Sequence, residues 1–259
     1  MTKLDHFAFK ADPVAPRVLG VIPARLSATR LPRKVLLPLA GEPLLAWVYK
    51  AAKACTMLHD VIIATDSAEV QDLCNTRGWP SIMTSPDLPS GTDRLFAVSQ
   101  TIDADIYVNI QGDEPLLRPE HIRDILHPFS APHVDVTTLR VPCKSEYVHN
   151  PNVVKVVTAL DGRALYFSRS PIPFDRDGTG FDHYWKHLGL YAYRRSALQR
   201  FASLAPCELE QTERLEQLRL LENGLTLYVA KTEFDTIGVD TEDDLRRVEA
   251  ILTSQARQT

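Results

Sequence analysis

Glycine is scarce in this chain, which has 11 glycines against 18 prolines among its 259 residues. The G-x-G-x-x-G pattern of dinucleotide-binding loops and the G-x-x-x-x-G-K-[ST] pattern of P-loops are both missing. Such loops hold phosphate with backbone N–H groups that glycine allows to approach closely. If this protein handles a nucleotide, charged side chains must therefore do more of the binding.

The chain also lacks long apolar runs, cysteine pairs and a large excess of either charge. No run approaches the roughly 18–20 apolar residues of a membrane span, and residues 1–17 lack the apolar stretch of a secretory signal. The four cysteines lie far apart, which argues against a zinc site and a disulfide framework. The net charge of −4 argues against a protein that coats nucleic acid. We therefore expect a cytoplasmic protein that binds neither membrane nor nucleic acid.

Short apolar runs alternate with segments of helical periodicity along most of the chain. Predicted strands lie at 18–23, 61–64, 81–84, 106–110, 136–141, 153–159, 164–167, 188–193 and 225–230. Predicted helices begin at Pro43, cover 68–77, 92–102, 120–129, 196–204 and 210–222, and end with one from Thr241 that has a capping-box pattern with Asp244. This alternation predicts an α/β fold with a mostly parallel central sheet and helices on both faces.

The domain organisation follows from the same pattern. Residues 1–17 are expected to form a loose N-terminal arm, and residues 18–259 a single domain. Within that domain, residues 134–193 contain strand-like runs with little helix between them. This section predicts a smaller mixed or antiparallel β subregion that covers one side of a cleft.

A basic loop directly follows the first predicted strand. Four cations and no acidic residue lie between Ile22 and Gly41. These cations are Arg25, Arg30, Arg33 and Lys34. The loop lies at the carboxyl edge of the predicted sheet, where open α/β folds bind ligands, and guanidinium forks with an ammonium group can neutralise a triphosphate. The alternative is a solvated basic loop without a ligand.

Two carboxylates follow later strands. Asp113 lies in Gln-Gly-Asp-Glu-Pro after the central strand, where Gly112 lets a ligand approach the backbone, and Asp240 precedes the last helix. Carboxylate oxygens at strand ends suit Mg²⁺, so both residues are candidate ligands of one magnesium ion. The alternatives are an ordinary turn for Asp113 and a helix N-cap for Asp240.

Two further patterns carry weaker signals. Arg94 begins a helix after a Ser-Pro-rich loop, where a surface charge is the alternative to a ligand. His183 and His187 have the H-x-x-x-H spacing that would suit zinc on a helix. The segment leads into a strand and no cysteine lies nearby, so zinc is disfavoured.

Taken in order, the motifs resemble those of the 3-deoxy-manno-octulosonate (Kdo) cytidylyltransferase family. They are IPAR…TRLP.K, G.P, ATD, SGTDRL, NIQGDEP, NP..VK, ALYFSR..IP.DRD, HLG.YAY, LE..E.LEQLR and GVDTEDDL. The resemblance covers residues 18–252. It implies a Rossmann-like nucleotidyltransferase fold, a homodimer with contacts in the smaller β subregion, and the reaction of CTP with Kdo to give CMP-Kdo and pyrophosphate with magnesium.

The resemblance also implies residue roles. Arg25 and Lys34 match the family's triphosphate-binding cations, and Asp113 and Asp240 match its magnesium ligands. The positions close to nucleotide and sugar are matched by Gln111 and Arg94. The positions that line the Kdo pocket are matched by Arg169, Arg176, His187, Tyr191, Glu216 and Gln217.

Two departures from the family pattern affect the basic loop. Arg33 stands where the family usually has glycine before the loop lysine, so it stiffens the loop and could crowd the phosphates or add a cation. Ala28 stands where a serine hydroxyl often contacts phosphate, with Ser27 as a possible substitute. The stretch before residue 18 is also longer than the family's usual start.

The expected function is therefore activation of Kdo by CTP in the cytoplasm, for lipopolysaccharide synthesis. One alternative is the same chemistry on a related sugar acid, such as 8-amino-Kdo or sialic acid. Another is a catalytically inert, nucleotide-binding regulatory domain on this scaffold. The joint presence of Arg25, Lys34, Asp113 and Asp240 argues against the inert domain.

Overall fold

The computed structural model describes residues 15–26 and 31–256. Its strands are β1 (Val18–Ala24), β2 (Pro38–Leu39), β3 (Glu42–Pro43), β4 (Asp60–Thr65), β5 (Ser81–Met83), β6 (Ile106–Asn109), β7 (Val136–Pro142), β8 (Lys155–Thr158), β9 (Ala164–Ser168), β10 (Trp185–Arg194) and β11 (Leu227–Lys231). Its α-helices are α1 (Leu44–Lys53), α2 (Ala68–Arg77), α3 (Gly91–Ser99), α4 (Pro119–Leu126), α5 (Arg195–Ala202), α6 (Glu208–Glu213), α7 (Gln217–Glu222) and α8 (Glu242–Ala256). Of the predicted N-terminal arm, only residues 15–17 lie within this part of the chain.

The main path of the sheet has the strand order β11-β7-β10-β6-β1-β4-β5. β1 pairs in parallel with β4 and β6, β4 with β5, and β7 with β11. β10 pairs antiparallel with both β6 and β7, so it alone opposes the other strands of this path. The predicted α/β fold with a mostly parallel central sheet is confirmed.

The smaller β region is attached to this sheet through β10. β8 pairs antiparallel with β10 at one position, Lys186 with Lys155, and then with β9 along its length. β7 and β10, which lie in the same stretch of sequence, are strands of the main sheet. The mixed subregion predicted from the run of strands is therefore the β8–β9 hairpin together with its attachment to β10.

The core lies on both sides of the sheet. Alternate residues of β1 enter two separate clusters: Ile22 belongs to the one that includes α1, α2, α4 and α8 residues, and Leu19 to the one that includes α3, α5 and α7 residues. β1 is buried along almost its whole length, as expected for a strand covered on both faces. Among the described residues, each helix is too short or too polar to cross a membrane.

Helix ends follow the capping signals of the sequence. α2 has the predicted bounds, because Ser67 Oγ accepts a hydrogen bond from Val70 N and Gly78 ends the helix with φ 66°. At the start of α8, Thr241 Oγ1 accepts from Asp244 N at 3.2 Å and the Asp244 carboxylate accepts from Thr241 N at 2.9 Å. The predicted capping box is confirmed. Thr241 caps this helix, so the N-cap alternative for Asp240 is wrong.

The single helix predicted over 210–222 is wrong, because the chain forms α6 and α7 with a break between them. Arg214 adopts the left-handed region at φ 54°, which a continuing helix cannot contain. The carbonyl oxygens of Glu213 and Arg214 accept hydrogen bonds from the Arg169 side chain. A contact from a distant strand therefore stabilises the break, and helical periodicity does not reveal it.

Candidate active site

Three loops meet at the carboxyl edge of the sheet. The first follows β1, the second follows β6, and the third leads into α8. Gly112 of the second loop packs so closely on β1 that a Cβ there would lie 2.5 Å from the Pro23 carbonyl oxygen. The second and third loops are joined by a hydrogen bond of 2.9 Å from Val239 N to the Asp113 carbonyl oxygen. These contacts bring residues that are far apart in sequence into one site.

Lys34 bridges the two carboxylates that the sequence analysis singled out. Its Nζ donates to Asp113 Oδ2 and, at 3.1 Å, to Asp240 Oδ1. Burial alone would lower the pKa of the Lys34 ammonium, but Asp113 and Asp240 outweigh that effect, and the pKa lies above its ordinary value. The Lys34 side chain is 14% exposed, against 26% for Asp113 and 46% for Asp240, so the carboxylates remain accessible to a ligand. Two carboxylates in neighbouring loops at the sheet edge are oxygen ligands of the kind that Mg²⁺ takes together with substrate phosphates.

Arg25 joins this edge to the loop before α3. Its guanidinium donates to the Pro89 carbonyl oxygen at 3.1 Å and remains partly exposed. Arg33 adopts the left-handed region at φ 59°, and its side chain pairs with Glu69 of α2. Since both partners of this pair are about half exposed, the pair contributes little to stability. Ser27, Ala28 and Arg30 lie outside the described residues.

Arg94 is buried and forms hydrogen bonds with residues at the ends of two strands. Its fully buried guanidinium donates to Asp66 Oδ2 at 2.9 Å and to Thr84 Oγ1. Burial lowers the pKa of this guanidinium, and the Asp66 charge partly offsets the effect. The carboxyl edge of β4 and the segment after β5 are thereby tied to α3. Arg94 therefore stabilises this edge of the sheet from a position that is closed to solvent.

A polar cavity of about 640 Å³ lies beside the charged cluster. Five of the predicted site residues line it, and they are Arg169, His187, Tyr191, Gln217 and Asp240. The other seven predicted residues do not line it, and two of them, Arg176 and Gln111, lie in other loops. Arg176 lies exposed in the loop after β9 and makes no hydrogen bond or ion pair with a described residue, and Gln111 is half-buried in the loop after β6. The structure thus gathers the wall residues from β10, the end of β9 and the α6–α7 junction.

Arg169 is part of the cavity wall through its backbone contacts. Its guanidinium donates to the carbonyl oxygens of Glu213 (2.7 Å), Pro151 (2.9 Å) and Arg214 (3.3 Å). A guanidinium group has more N–H donors than these three bonds use. Arg169 therefore fixes the wall and still has donors for a ligand carboxylate.

His187 is a buried, neutral imidazole on β10. Its Nε2 lies 2.9 Å from Thr138 Oγ1, and that hydroxyl can donate its only proton to the Leu190 carbonyl oxygen at 2.8 Å. We therefore assign the proton of the ring to Nε2, which leaves Nδ1 as an acceptor. Burial, with a smaller effect of the Lys186 charge, lowers the pKa of His187 to about 3. His187 can bind a hydroxyl group but does not supply a positive charge near neutral pH.

The α6–α7 junction adds two polar side chains, the half-buried Glu216 and the buried Gln217. Glu216 Oε2 accepts a hydrogen bond of 2.6 Å from Thr92 Oγ1 at the start of α3, and burial raises the pKa of the Glu216 carboxyl. Gln217 lines the cavity, and its buried Nε2 has no hydrogen-bond partner among the described residues. An amide donor of this kind calls for a partner, which a bound polar ligand can supply.

Three wall residues were missed by the sequence analysis. Glu114 lines the cavity next to Asp113, and burial raises the pKa of its carboxyl to about 7. Lys186 and Asp235 also line the cavity and form an ion pair of 2.7 Å. Glu114 could have been found, because it lies in the same strand-end motif as Asp113. The Lys186–Asp235 pair depends on a contact between β10 and the loop after β11, which no local pattern signals.

The zinc alternative is wrong for the described residues. His183 is largely exposed in a loop beside Asp182, whereas His187 is buried in β10. The segment is not helical, so the two rings do not share a helix face. Within the described part of the chain, no group of three or more histidine, cysteine and acidic side chains could hold a metal ion.

Replacement of Gly112 tests the close packing of the loops. In Gly112→Ala, the new Cβ meets the backbone of β1, so we expect the free energy of unfolding to fall by roughly 1–3 kcal/mol. Urea denaturation measures the change. Gly238→Ala is the matched control, because no atom lies within 4 Å of a Cβ at that position. Equal stability of the two variants would contradict the packing argument.

The state of His187 gives a pH prediction. Because its pKa in the folded protein, about 3, lies below its ordinary value of 6.5, the stability it contributes is present above pH 6.5 and is lost as the pH falls from 6.5 towards 3. NMR of the ring nitrogens should show His187 neutral down to about pH 5. In His187→Gln, the loss of stability over this pH range should be smaller, by up to about 4 kcal/mol. A ring that titrates near its ordinary pKa would contradict the assignment.

Comparison with known proteins identifies the family. A family model described as cytidylyltransferase matches residues 19–232. A 3-deoxy-manno-octulosonate cytidylyltransferase of Acidobacterium capsulatum is 62% identical over 240 residues, which cover 93% of this chain and 98% of that protein. The protein of the same name from Koribacter versatilis is 55% identical over 254 residues, with 95% and 97% covered.

A solved structure agrees with these relatives. The structure of CMP:2-keto-3-deoxy-manno-octonic acid synthetase complexed with CTP is 40% identical and superimposes with a TM-score of 0.89. The match covers 92% of this chain and 99% of that one. Sequence, fold and the order of the motifs therefore agree: the chain belongs to the 3-deoxy-manno-octulosonate cytidylyltransferase family of nucleotidyltransferases.

Proposed function

We propose that this protein transfers the cytidylyl group of CTP to Kdo and releases pyrophosphate. The observation that carries the proposal is the Lys34–Asp113–Asp240 cluster at the carboxyl edge of the sheet, directly beside the polar cavity that Asp240 also lines. The cluster supplies charges for a triphosphate, and the cavity supplies donors and acceptors for a sugar acid. The names of the close relatives and the CTP complex of the solved relative support the choice of CTP and Kdo.

The proposed reaction needs positioning and charge stabilisation more than a covalent intermediate. A sugar hydroxyl attacks the α-phosphorus and gives up its proton to water, the new P–O bond forms, and the bond between the α-phosphorus and the bridging oxygen of the leaving pyrophosphate breaks. Lys34 and Arg25, at the end of β1, stabilise the charge that develops on the phosphate oxygens. The partly exposed guanidinium of Arg25 is held towards this edge by its bond to Pro89.

Magnesium is the metal that these residues fit best. Asp113 and Asp240 present carboxylate oxygens from two loops that share a backbone hydrogen bond, and both are accessible. Hard oxygen donors with room for substrate phosphates and water are the usual set for Mg²⁺. When bound, the ion neutralises phosphate charge and polarises the phosphate oxygens. Asp113 and Asp240 would hold the ion, and Lys34, which donates to both of them, would supply a further positive charge for the phosphates.

The cavity accounts for recognition of the sugar acid. Arg169 keeps donors for the carboxylate of Kdo, and the neutral ring of His187 accepts from a hydroxyl. Gln217 offers a buried amide donor, and Tyr191 adds a phenol whose pKa is raised well above its usual range by burial, so it stays protonated. These groups recognise hydroxyls and a carboxylate without a covalent bond to the sugar.

Two further parts of the proposal concern assembly and location. Homodimer formation finds support in apolar side chains that are exposed in and after the β8–β9 hairpin, namely Leu160, Leu165, Phe174 and Phe181. A cytoplasmic location finds support in the four cysteines, which are all free thiols, as is usual in a reducing compartment.

A pyrophosphate-release assay tests the function. The purified protein is offered each of the four common nucleoside triphosphates with Kdo, 8-amino-Kdo, sialic acid or no sugar. We expect magnesium-dependent release with CTP that requires a sugar acid and is fastest with Kdo. Fastest release with another sugar acid would reassign the substrate, and CTP binding without release would favour the regulatory domain.

Replacement of one carboxylate tests the metal site. In Asp113→Asn at excess magnesium, we expect kcat to fall by about 100- to 1,000-fold, because one charged contact to the reacting phosphate region is lost. The matched control is Asp243→Asn on the exposed side of α8, whose carboxylate pairs only with Arg246 among the described residues. This variant should keep wild-type rates. Near-normal turnover of Asp113→Asn would exclude the proposed role of Asp113.

A further inference from the structure

Lys155 is a fully buried lysine that donates only to backbone carbonyls. Its Nζ bonds to the carbonyl oxygens of Asn150 at 3.1 Å, Val153 at 2.7 Å and Arg169 at 2.6 Å. Its side chain is excluded from solvent, and it forms no ion pair with a described residue. Three N–H donors therefore meet three acceptors, which matches an ammonium group and leaves no donor over.

The three acceptors belong to two parts of the cavity wall. Asn150 and Val153 lie in the turn before β8, and Arg169 follows the end of β9. All three residues line the cavity, whereas Lys155 lies behind them and does not. One side chain thus ties two separate stretches of wall to each other from the inside.

Arg169 extends the same pattern to a third stretch. Its guanidinium donates to the Pro151 carbonyl oxygen in the turn that Lys155 holds, and to the carbonyl oxygens of Glu213 and Arg214 at the α6–α7 junction. That junction leads directly into Gln217, which lines the cavity. The turn, the end of β9 and the junction are therefore connected by hydrogen bonds from the side chains of Lys155 and Arg169 to backbone carbonyls. Lys155 is the more deeply buried of these two side chains.

We propose that Lys155 is a positioning residue that sets the sugar-acid side of the cavity, acting through the 150–153 turn and Arg169. The inference rests on the proposed function for the identity of the ligand. A lysine suits this task because one tetrahedral ammonium can reach three carbonyls that converge on a point, whereas the planar fork of arginine cannot copy that geometry. Burial lowers the pKa of Lys155, and the three acceptors favour its charged form.

Kinetics of Lys155→Met test the proposal. The variant loses all three bonds, so the wall relaxes on the sugar side while the loops that hold the triphosphate keep their contacts. We expect the KM for Kdo to rise roughly 10- to 100-fold, as a misplaced binding group does. The KM for CTP, and the Kd for CTP measured by calorimetry, should be unchanged. If Lys155→Met is too unstable to purify, Lys155→Arg keeps the charge with the wrong geometry and should show the same split in KM.

A matched control separates positioning from loss of stability. Leu198→Ala removes a fully buried side chain of α5 that does not line the cavity. It should lower Tm without raising the KM for Kdo. Amide hydrogen exchange should accelerate at residues 150–154 and 169–170 in the Lys155 variant but not in Leu198→Ala.

The outcomes distinguish this inference from the proposed function. An unchanged KM for Kdo in the Lys155 variants, or an equal rise in Leu198→Ala, would overturn the positioning role. Absence of Kdo-dependent pyrophosphate release in the wild-type protein would instead overturn the proposed function. In that case, the exchange measurement still decides whether Lys155 holds the wall, because it needs no substrate.

Discussion

The close contact of Gly112 with the backbone of β1, together with the hydrogen bond from Val239 to the Asp113 carbonyl, underlies the rest of the site. These contacts fix three loops at one edge of the sheet, and they force the carboxylates of Asp113 and Asp240 towards each other. Two carboxylates so placed repel unless a cation lies between them, and Lys34 fulfils that need. The charge cluster is thus a consequence of backbone packing, and the positive charge of Lys34 stabilises the two carboxylates even without a ligand.

Four cations near the cluster and the cavity fall into two groups that a net charge cannot distinguish. Lys34 and Arg25 lie at the sheet edge with room for a ligand, whereas Lys155 and Arg94 are fully buried. The charge of Arg94 is paired with one carboxylate, whereas the ammonium group of Lys155 donates to carbonyl oxygens. Buried charges are costly unless they are hydrogen-bonded, so each of these bonded groups marks a place where the fold keeps one defined geometry. Lys155 uses all three of its donors, whereas Arg94 Nε has no partner among the described residues. Arg94 lies at the carboxyl edge of the sheet, and Lys155 lies behind residues that line the polar cavity.

The sequence predicted what depends on local signals. Strand alternation gave the α/β sheet, Ser67 and Gly78 marked the ends of α2, and strand-end loops marked Asp113 and Asp240. Features that depend on contacts between residues far apart in sequence could not be predicted from it. The break between α6 and α7 rests on hydrogen bonds from Arg169 in another element, and the burial of Arg94 rests on its fit between two strand ends. The residues predicted for the sugar pocket came from the family resemblance, and periodicity alone would have assigned them to the core or the surface.

The cavity wall shows how such a site can bind an acid with few unpaired cations. Lys186 is already neutralised by Asp235, and His187 is kept neutral by burial. Two cations on this wall have no paired carboxylate among the described residues: the Arg169 guanidinium donates to uncharged carbonyls, and Arg247 donates to the Tyr147 hydroxyl. A ligand carboxylate would therefore be drawn to Arg169 even though that side chain is structurally occupied. Arg169 thus combines a fixed position with an unpaired positive charge. Any contact that orders the Arg169 backbone therefore also orders the place where an anion would bind.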